Sequence, residues 1–167
     1  MDIEIQNLSD DGGSIGGQFG DTITPTQIGN IVGTSTGSIA GDLNGRLFYS
    51  VGTSVINTYD CSDPSNPTLI ASVSASPFVL NVRGKYLYAL NPFQNSLNVY
   101  DITEPKFITL VNTISGSGFW YSTTTYGPYL IVSTLLSGIF IYDIADPTNV
   151  VQLSNLTGLS GIPQAIS

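Results

Sequence analysis

The chain has 167 residues, enough for one domain or for a stack of small units that share a core, and too few for two ordinary domains. Apolar residues make up 41% and charged residues only 10%, and four basic against twelve acidic residues give a net charge of −8, which disfavours nucleic acid and anionic membranes as partners. No stretch approaches the roughly 20 apolar residues of a membrane helix, so membrane insertion is not expected, and the single cysteine, Cys61, cannot form an internal disulfide.

A dipeptide, Tyr-Asp, occurs three times, and a proline follows each Asp by four residues. Successive aspartates lie 41 and 42 residues apart. This period is typical of four-stranded propeller blades and does not fit helical-hairpin or leucine-rich repeats. The repeat therefore predicts an all-β fold, a β-propeller built from four-stranded antiparallel blades. The three copies are Tyr59-Asp60 with Pro64, Tyr100-Asp101 with Pro105, and Tyr142-Asp143 with Pro147.

Residues 1–37 are predicted to hold the outer strands of an incomplete blade. Asp21 and Pro25 repeat the spacing of the motif, and Asp21 lies 39 residues before Asp60. If the strands of a blade are named A to D from the propeller axis outward, this segment supplies B, C and D. These strands are placed at residues 1–8, 14–21 and 27–32.

Three complete blades follow, at residues 38–75, 76–117 and 118–160. Their B strands are rich in aromatic and β-branched residues, and a glycine suited to a tight hairpin turn precedes each of them. No window shows sustained helical periodicity. Strand A is predicted at 38–43, 78–82 and 119–123, strand B at 47–51, 86–90 and 129–133, strand C at 55–60, 97–101 and 139–143, and strand D at 68–73, 107–114 and 150–156.

Residues 161–167 fit strand A of the incomplete blade. The chain is then one domain, 1–167, with about four blade equivalents, one of which is split between the termini. A split blade closes a propeller because strands from both ends share one sheet and remove exposed edges. Two versions stay open. Pairing within the chain gives a four-bladed monomer, and pairing with a second copy gives a homodimer that completes an eight-bladed ring.

The motif aspartates and prolines are interpreted as a structural turn. Proline cannot donate a hydrogen bond to a sheet, so the chain is expected to leave the sheet after each Tyr-Asp, with the Asp accepting backbone N–H groups. The alternative is a structural calcium ion bound by the acidic pair that recurs there. Because the pair obeys the repeat, the turn is favoured, and no other metal or cofactor is expected. The pairs are Asp60 with Asp63, Asp101 with Glu104, and Asp143 with Asp146.

The motif resembles a known repeat family. The pattern Tyr-Asp-Ile/Cys-x-Asp/Glu-Pro, the sequence Ser-Asn-Pro-Thr-Leu at 65–69, and the strands Tyr-Leu-Tyr-Ala at 86–89 and Tyr-Leu-Ile-Val at 129–132 are similar to LVIVD-type repeats of bacterial, archaeal and viral surface proteins. The resemblance covers residues 20–160. It implies a scaffold propeller, similar to WD-repeat propellers, without catalytic residues.

No enzymatic activity is expected. Residues 33–37, Gly-Thr-Ser-Thr-Gly, match the pattern around a serine nucleophile, but the chain has no histidine to act as the base. The lack of histidine, together with the single cysteine, also removes zinc, cysteine-protease and haem sites. A glycosidase that uses only two carboxylates is the exception that composition leaves open.

Aromatic residues that differ between the repeats are the candidates for ligand binding. Strand A of the third complete blade contains Phe119, Trp120 and Tyr121, and the longer loop at 91–96 carries Phe93 at its tip. Because exposed rings can stack on a sugar or contact a peptide, Trp120, Tyr121 and Phe93 form the predicted site. The alternative for the aromatic run is packing between blades.

These observations predict a non-catalytic structural or protein-interaction scaffold that binds protein partners or associates with itself. The low lysine content and the abundance of Ser, Thr and Asn favour a cell-surface, extracellular or virion location over the cytoplasm. The alternative function is a carbohydrate-binding, lectin-like propeller with a glycan as its partner.

Overall fold

The structure is a computed structural model, and it describes residues 38–42, 45–51, 54–104, 106–135 and 137–159. The described residues form twelve β-strands, and they include no helix with the length and hydropathy of a membrane span. The strands expected within 1–37 and 161–167, and with them the split blade, lie outside the described residues.

The twelve strands form three antiparallel sheets of four, and each sheet is one blade. Strands that follow one another in sequence pair within each blade. The prediction of an all-β propeller with four-stranded antiparallel blades is confirmed. Blade 1 consists of β1 (Ile39–Gly41), β2 (Arg46–Val51), β3 (Val55–Asp60) and β4 (Thr68–Ser74); blade 2 of β5 (Val79–Arg83), β6 (Tyr86–Asn91), β7 (Ser96–Glu104) and β8 (Phe107–Ser115); blade 3 of β9 (Trp120–Tyr126), β10 (Tyr129–Thr134), β11 (Gly138–Asp143) and β12 (Val151–Leu156).

The first strand of each blade is the inner strand. β5 contacts both β1 and β9, which places these three strands side by side around the axis. The turns from inner strand to second strand in blades 2 and 3 contain Gly84 and Gly127, whose φ angles are 57° and 52°. No atom lies within 4 Å of a Cβ built at either position, so backbone conformation, and not space, selects glycine there.

Apolar side chains pack between the blades in two clusters. Leu87 and Ala89 of β6 belong to the cluster between blades 1 and 2, whereas Tyr88 and Leu90 belong to the cluster between blades 2 and 3. Successive residues of a strand face opposite sides, and both sides of blade 2 have a neighbour. The first cluster also contains Ile56, Leu80, Tyr100 and Ile102, and the second also contains Leu97, Val99, Ile114, Trp120, Leu130, Val132, Phe140, Tyr142 and Ile144.

A buried ion pair also joins blade 1 to blade 2. Arg46 Nη2 lies 2.5 Å from Asp42 Oδ2, and Arg46 Nε donates to the same oxygen at 2.6 Å. Arg46 Nη1 donates to the carbonyl oxygen of Ile102 in blade 2 at 2.5 Å. The two charged side chains are 8% and 2% exposed, so both charges are buried.

The strands differ from their predicted bounds by at most three residues, and β3 has the predicted bounds. The largest differences are in β7, which continues to Glu104, and in β9, which continues to Tyr126. In blade 2 the regular pairing is interrupted between Asp101 and Glu104, and Glu104 then pairs with Phe107 before the chain turns. The reason is the shorter connection: β8 begins six residues after Asp101, whereas β4 and β12 begin eight residues after their motif aspartates.

Candidate interaction site

The connections between strands lie on two opposite faces of the propeller, because antiparallel neighbours alternate in direction. One face carries the turns that join the first strand of each blade to the second and the third to the fourth. All charged residues in the described part of the chain lie on it, and we call it the charged face. They are seven acidic residues, Asp42, Asp60, Asp63, Asp101, Glu104, Asp143 and Asp146, and four basic residues, Arg46, Arg83, Lys85 and Lys106.

The opposite face, which we call the uncharged face, carries the loops between second and third strands and the connections between blades. Among its described residues there is no Asp, Glu, Lys or Arg. A partner on this face therefore meets no ionised side chain from the described part of the chain. The face includes residues 74–78, 91–96, 115–119, 134–138 without 136, and 156–159.

Two exposed phenylalanines contact each other on the uncharged face. Phe93 lies on the loop between β6 and β7 and is 69% exposed, and Phe119 directly precedes β9 and is 38% exposed. Their ring centroids are 6.2 Å apart and the ring planes meet at 88°, an edge-to-face contact. The pair joins blade 2 to blade 3 and leaves much of both rings in solvent.

Hydrogen bonds fix the loop that carries Phe93. Asn91, which is buried, accepts bonds at its Oδ1 from the backbone N–H groups of Phe93 at 3.1 Å and Gln94 at 3.2 Å. Asn95 has a φ of 48°, and its carbonyl accepts the backbone N–H of Gly116 at 3.0 Å. The side-chain amide of Asn95 is oriented so that its nitrogen faces two backbone carbonyl oxygens. It donates to that of Pro92 at 3.2 Å and to that of Gly118. The loop is therefore tied to the segment that carries Phe119.

The three residues of the predicted ligand site are not together on one surface. Trp120 is fully buried in the cluster between blades 2 and 3, where its ring centroid lies 6.0 Å from that of Tyr142. Its Nε1 donates to the carbonyl of Ser117 at 3.3 Å. The Trp120 ring is therefore not accessible to a ligand. It packs between blades, which is the alternative given for the aromatic run. Tyr121 is half-buried in β9, and of the three only Phe93 is largely exposed.

Phe119 belongs to the aromatic run but lies outside the predicted site of Trp120, Tyr121 and Phe93. The signal that could have identified it is alternation: if Trp120 faces the core, the residue that precedes the strand is free to face solvent. Phe78 precedes β5 as Phe119 precedes β9, and it is 54% exposed on the same face. An exposed apolar surface without charges is typical of interaction sites.

The motif aspartates form local turns on the charged face. Asp60, Asp101 and Asp143 each accept at Oδ1 the backbone N–H of the residue two positions later, at 2.9, 2.8 and 2.8 Å. Asp63 and Asp146 do the same in the following turn, at 2.9 and 3.0 Å, and each also accepts a side-chain hydroxyl. These contacts are those of Asx turns.

Hydrogen bonds lower the pKa of four of these carboxyl groups below the usual value. For Asp60 the main cause is the backbone N–H of Ser62, and for Asp101 it is the side chain and then the backbone of Thr103. For Asp63 and Asp146 the side chains of Ser65 and Thr148 contribute most. The described residues include no group of three or more His, Cys, Asp and Glu side chains that could hold a metal ion.

Solved structures resemble this chain at the level of fold. A protein from Lactobacillus plantarum aligns with a TM-score of 0.63 and 19% identity, over 72% of this chain and 41% of its own. Sqt1 of Saccharomyces cerevisiae aligns with a TM-score of 0.64 and 11% identity, over 77% of this chain and 36% of its own. The computationally designed Ika4 protein aligns with a TM-score of 0.67 and 11% identity, over 87% of both chains.

No protein-family model and no curated protein sequence matches the chain. The chain spans less than half the length of the Lactobacillus and yeast proteins. At these identities the similarities define the class of protein, a β-propeller, and carry no information about a ligand. Membership of the LVIVD-type family stays a prediction.

Proposed function

We propose that this protein is a non-catalytic interaction module that binds a protein partner through its uncharged face. The observation that carries the proposal is the Phe93–Phe119 pair, which is exposed, spans two blades and is held by a hydrogen-bonded loop. Aromatic residues are frequent among the few side chains that dominate binding energy at interfaces. A loop that is already ordered also loses less entropy when the partner binds.

The module acts as a scaffold at an exposed location, a cell or virion surface, and belongs to the LVIVD-type repeats. Its support is the Tyr-Asp-x-x-x-Pro repeat and the composition, which is poor in lysine and rich in uncharged polar residues. The lack of histidine supports a function without catalysis, because acid–base and nucleophilic sites rely on imidazole in many enzymes.

The second candidate function is glycan binding at the same place. Gln94 is exposed directly beside Phe93, and an amide next to an aromatic ring could hydrogen-bond the hydroxyl groups of a neutral sugar that stacks on the ring. The two candidates predict different ligands for one surface.

The chain contains a matched control for the test. Phe93 is 69% exposed on the uncharged face, and Phe107 is 71% exposed at the start of β8, next to the charged face. The wild-type protein and the Phe93→Ala and Phe107→Ala variants are immobilised. Proteins from the source organism's surface fraction that bind to each of the three are identified and quantified. Each bound protein is then purified, and its Kd for the wild type and for both variants is measured. A glycan array with the same three proteins tests the second candidate.

We expect a specific protein partner to bind at least about tenfold more weakly to Phe93→Ala, the effect typical of a central aromatic contact, and normally to Phe107→Ala. Equal binding of that partner by the two variants would place the interface elsewhere and contradict the proposal. Array binding that Phe93→Ala alone abolishes would establish the glycan function instead.

A further inference from the structure

Asn155 of β12 breaks a side-chain pattern that the first two blades share. Two residues before the motif tyrosine, blades 1 and 2 have an asparagine on the third strand, and it pairs with a hydroxyl side chain on the fourth. Blade 3 has a phenylalanine on the third strand and an asparagine on the fourth. The three pairs are Asn57 with Ser72, Asn98 with Thr113, and Phe140 with Asn155.

This change leaves the Asn155 amide without a hydrogen-bond partner among the described residues. In blades 1 and 2 the hydroxyl donates to the asparagine Oδ1, at 2.7 Å from Ser72 and at 3.0 Å from Thr113. The Phe140 ring has no polar group, and it is buried in the cluster between blades 2 and 3. A covalent modification of the Asn155 amide therefore breaks no hydrogen bond within the described part of the chain.

The Asn155 side chain is also accessible. β12 is the outer strand of blade 3, where it pairs with β11, and all six of its residues are exposed. The strand ends at Leu156, and Thr157 and Gly158 beyond it are exposed as well. A bulky group on Asn155 can therefore extend into solvent from the outer edge of the blade.

The residues that follow Asn155 complete a modification pattern. Asn155-Leu156-Thr157 has the asparagine, the residue other than proline, and the hydroxyl residue that define an acceptor for N-linked glycans. One other described asparagine, Asn66, has a hydroxyl residue two positions later, but Pro67 lies between them and excludes it. Asn7-Leu8-Ser9 also fits the pattern and lies outside the described residues.

We propose that Asn155 is an acceptor site for an N-linked glycan. The inference rests on the exposed location in the proposed function, because the glycan is attached in a secretory compartment. Asn155 Nδ2 bonds to C1 of a sugar carried on a lipid pyrophosphate, the bond from C1 to the pyrophosphate oxygen breaks, and the lipid pyrophosphate leaves while the amide loses one proton to solvent. The glycan then stands beside residues 156–159, at the outer rim of the uncharged face.

The test supplies the compartment, so that a negative result concerns Asn155 and not the location of the protein. The full-length chain is secreted from cultured eukaryotic cells behind an added signal peptide, as wild type and as the Asn155→Gln, Thr157→Val and Thr157→Ser variants. Peptide-N-glycosidase converts a glycosylated asparagine to aspartate, and mass spectrometry of peptides locates the change. Asn66, which is exposed, is the matched control within the same chain. A co-expressed glycoprotein shows that the cells transfer glycans.

We expect a glycan on Asn155 in the wild type and in Thr157→Ser, which keeps the hydroxyl group. Asn155→Gln and Thr157→Val should lose it, although valine has nearly the shape of threonine, and Asn66 should stay unmodified in all four proteins. The glycosylated wild type should have a Tm within about 2 °C of Asn155→Gln, because the described residues make no contact that the glycan must break. An unmodified Asn155 in the wild type would overturn the proposal, as would occupancy that persists in Thr157→Val.

Discussion

At the scale of single residues, the contact between Gly116 and Trp120 is the most sensitive to substitution. A Cβ built at Gly116 would overlap the indole ring, with Cε2 at 2.7 Å and Nε1 at 2.9 Å. The ring is fully buried and packed against Tyr142, so it has little freedom to move away. We expect Gly116→Ala to lower the free energy of unfolding by about 1–3 kcal/mol, the usual cost of excess volume in a packed core.

Gly41→Ala is the matched control, since the nearest atom to its Cβ is the Arg46 carbonyl oxygen at an ordinary 3.7 Å. Trp120 is the only tryptophan in the chain, so its fluorescence reports on this site alone. The measurement is urea unfolding followed by tryptophan emission. Equal midpoints for the two alanine variants would show that the Trp120 ring can move, against the prediction.

At the scale of elements, the strands themselves were predictable from the sequence, because the motif fixes their phase and each blade repeats the same alternation. The direction of individual side chains was less predictable. Trp120 and Phe119 are neighbours, and only the register of β9 decides which of them faces the core. β7 is longer than predicted because the connection from Asp101 to β8 is two residues shorter than the equivalent connections in blades 1 and 3. The Tyr-Asp dipeptide is the same in all three blades, so it does not predict this difference.

The turns of the charged face make stability depend on pH. The folded-state pKa of Asp60, Asp63, Asp101 and Asp146 lies below the usual value of 3.8. As pH falls through that value, the unfolded chain binds protons before the folded one, so the stabilisation present above it is lost progressively. We expect the Tm to fall below pH 4–5, the range just above the unfolded-state pKa.

Replacement of these four aspartates by asparagine keeps an oxygen acceptor at each turn and removes the titration. The quadruple variant should therefore lose less Tm between pH 7 and pH 3 than the wild type does. Thermal unfolding monitored by circular dichroism at both pH values measures the difference. An identical loss in the two proteins would mean that these turns do not couple folding to protonation.

At the scale of the whole molecule, the described charges are confined to one face. The described residues of the charged face include seven acidic and four basic side chains, so this face repels other acidic molecules, whereas the described residues of the uncharged face add no charge to a contact. The Phe93–Phe119 pair therefore offers an aromatic surface on a face whose described residues carry no charge. Binding at the two faces can be distinguished by salt, because only interactions between charges are screened.

We therefore expect the Kd of a partner that depends on Phe93 to change by less than about threefold between 0.05 and 0.5 M NaCl, because the described charges, on which screening acts, lie on the opposite face. Titration calorimetry at both salt concentrations gives the Kd directly, and Lys85→Ala, which removes an exposed cation from the charged face, should leave it unchanged. A Kd that rises steeply with salt and responds to Lys85→Ala would locate the interface on the charged face. In that case the exposed phenylalanines would not form the binding surface.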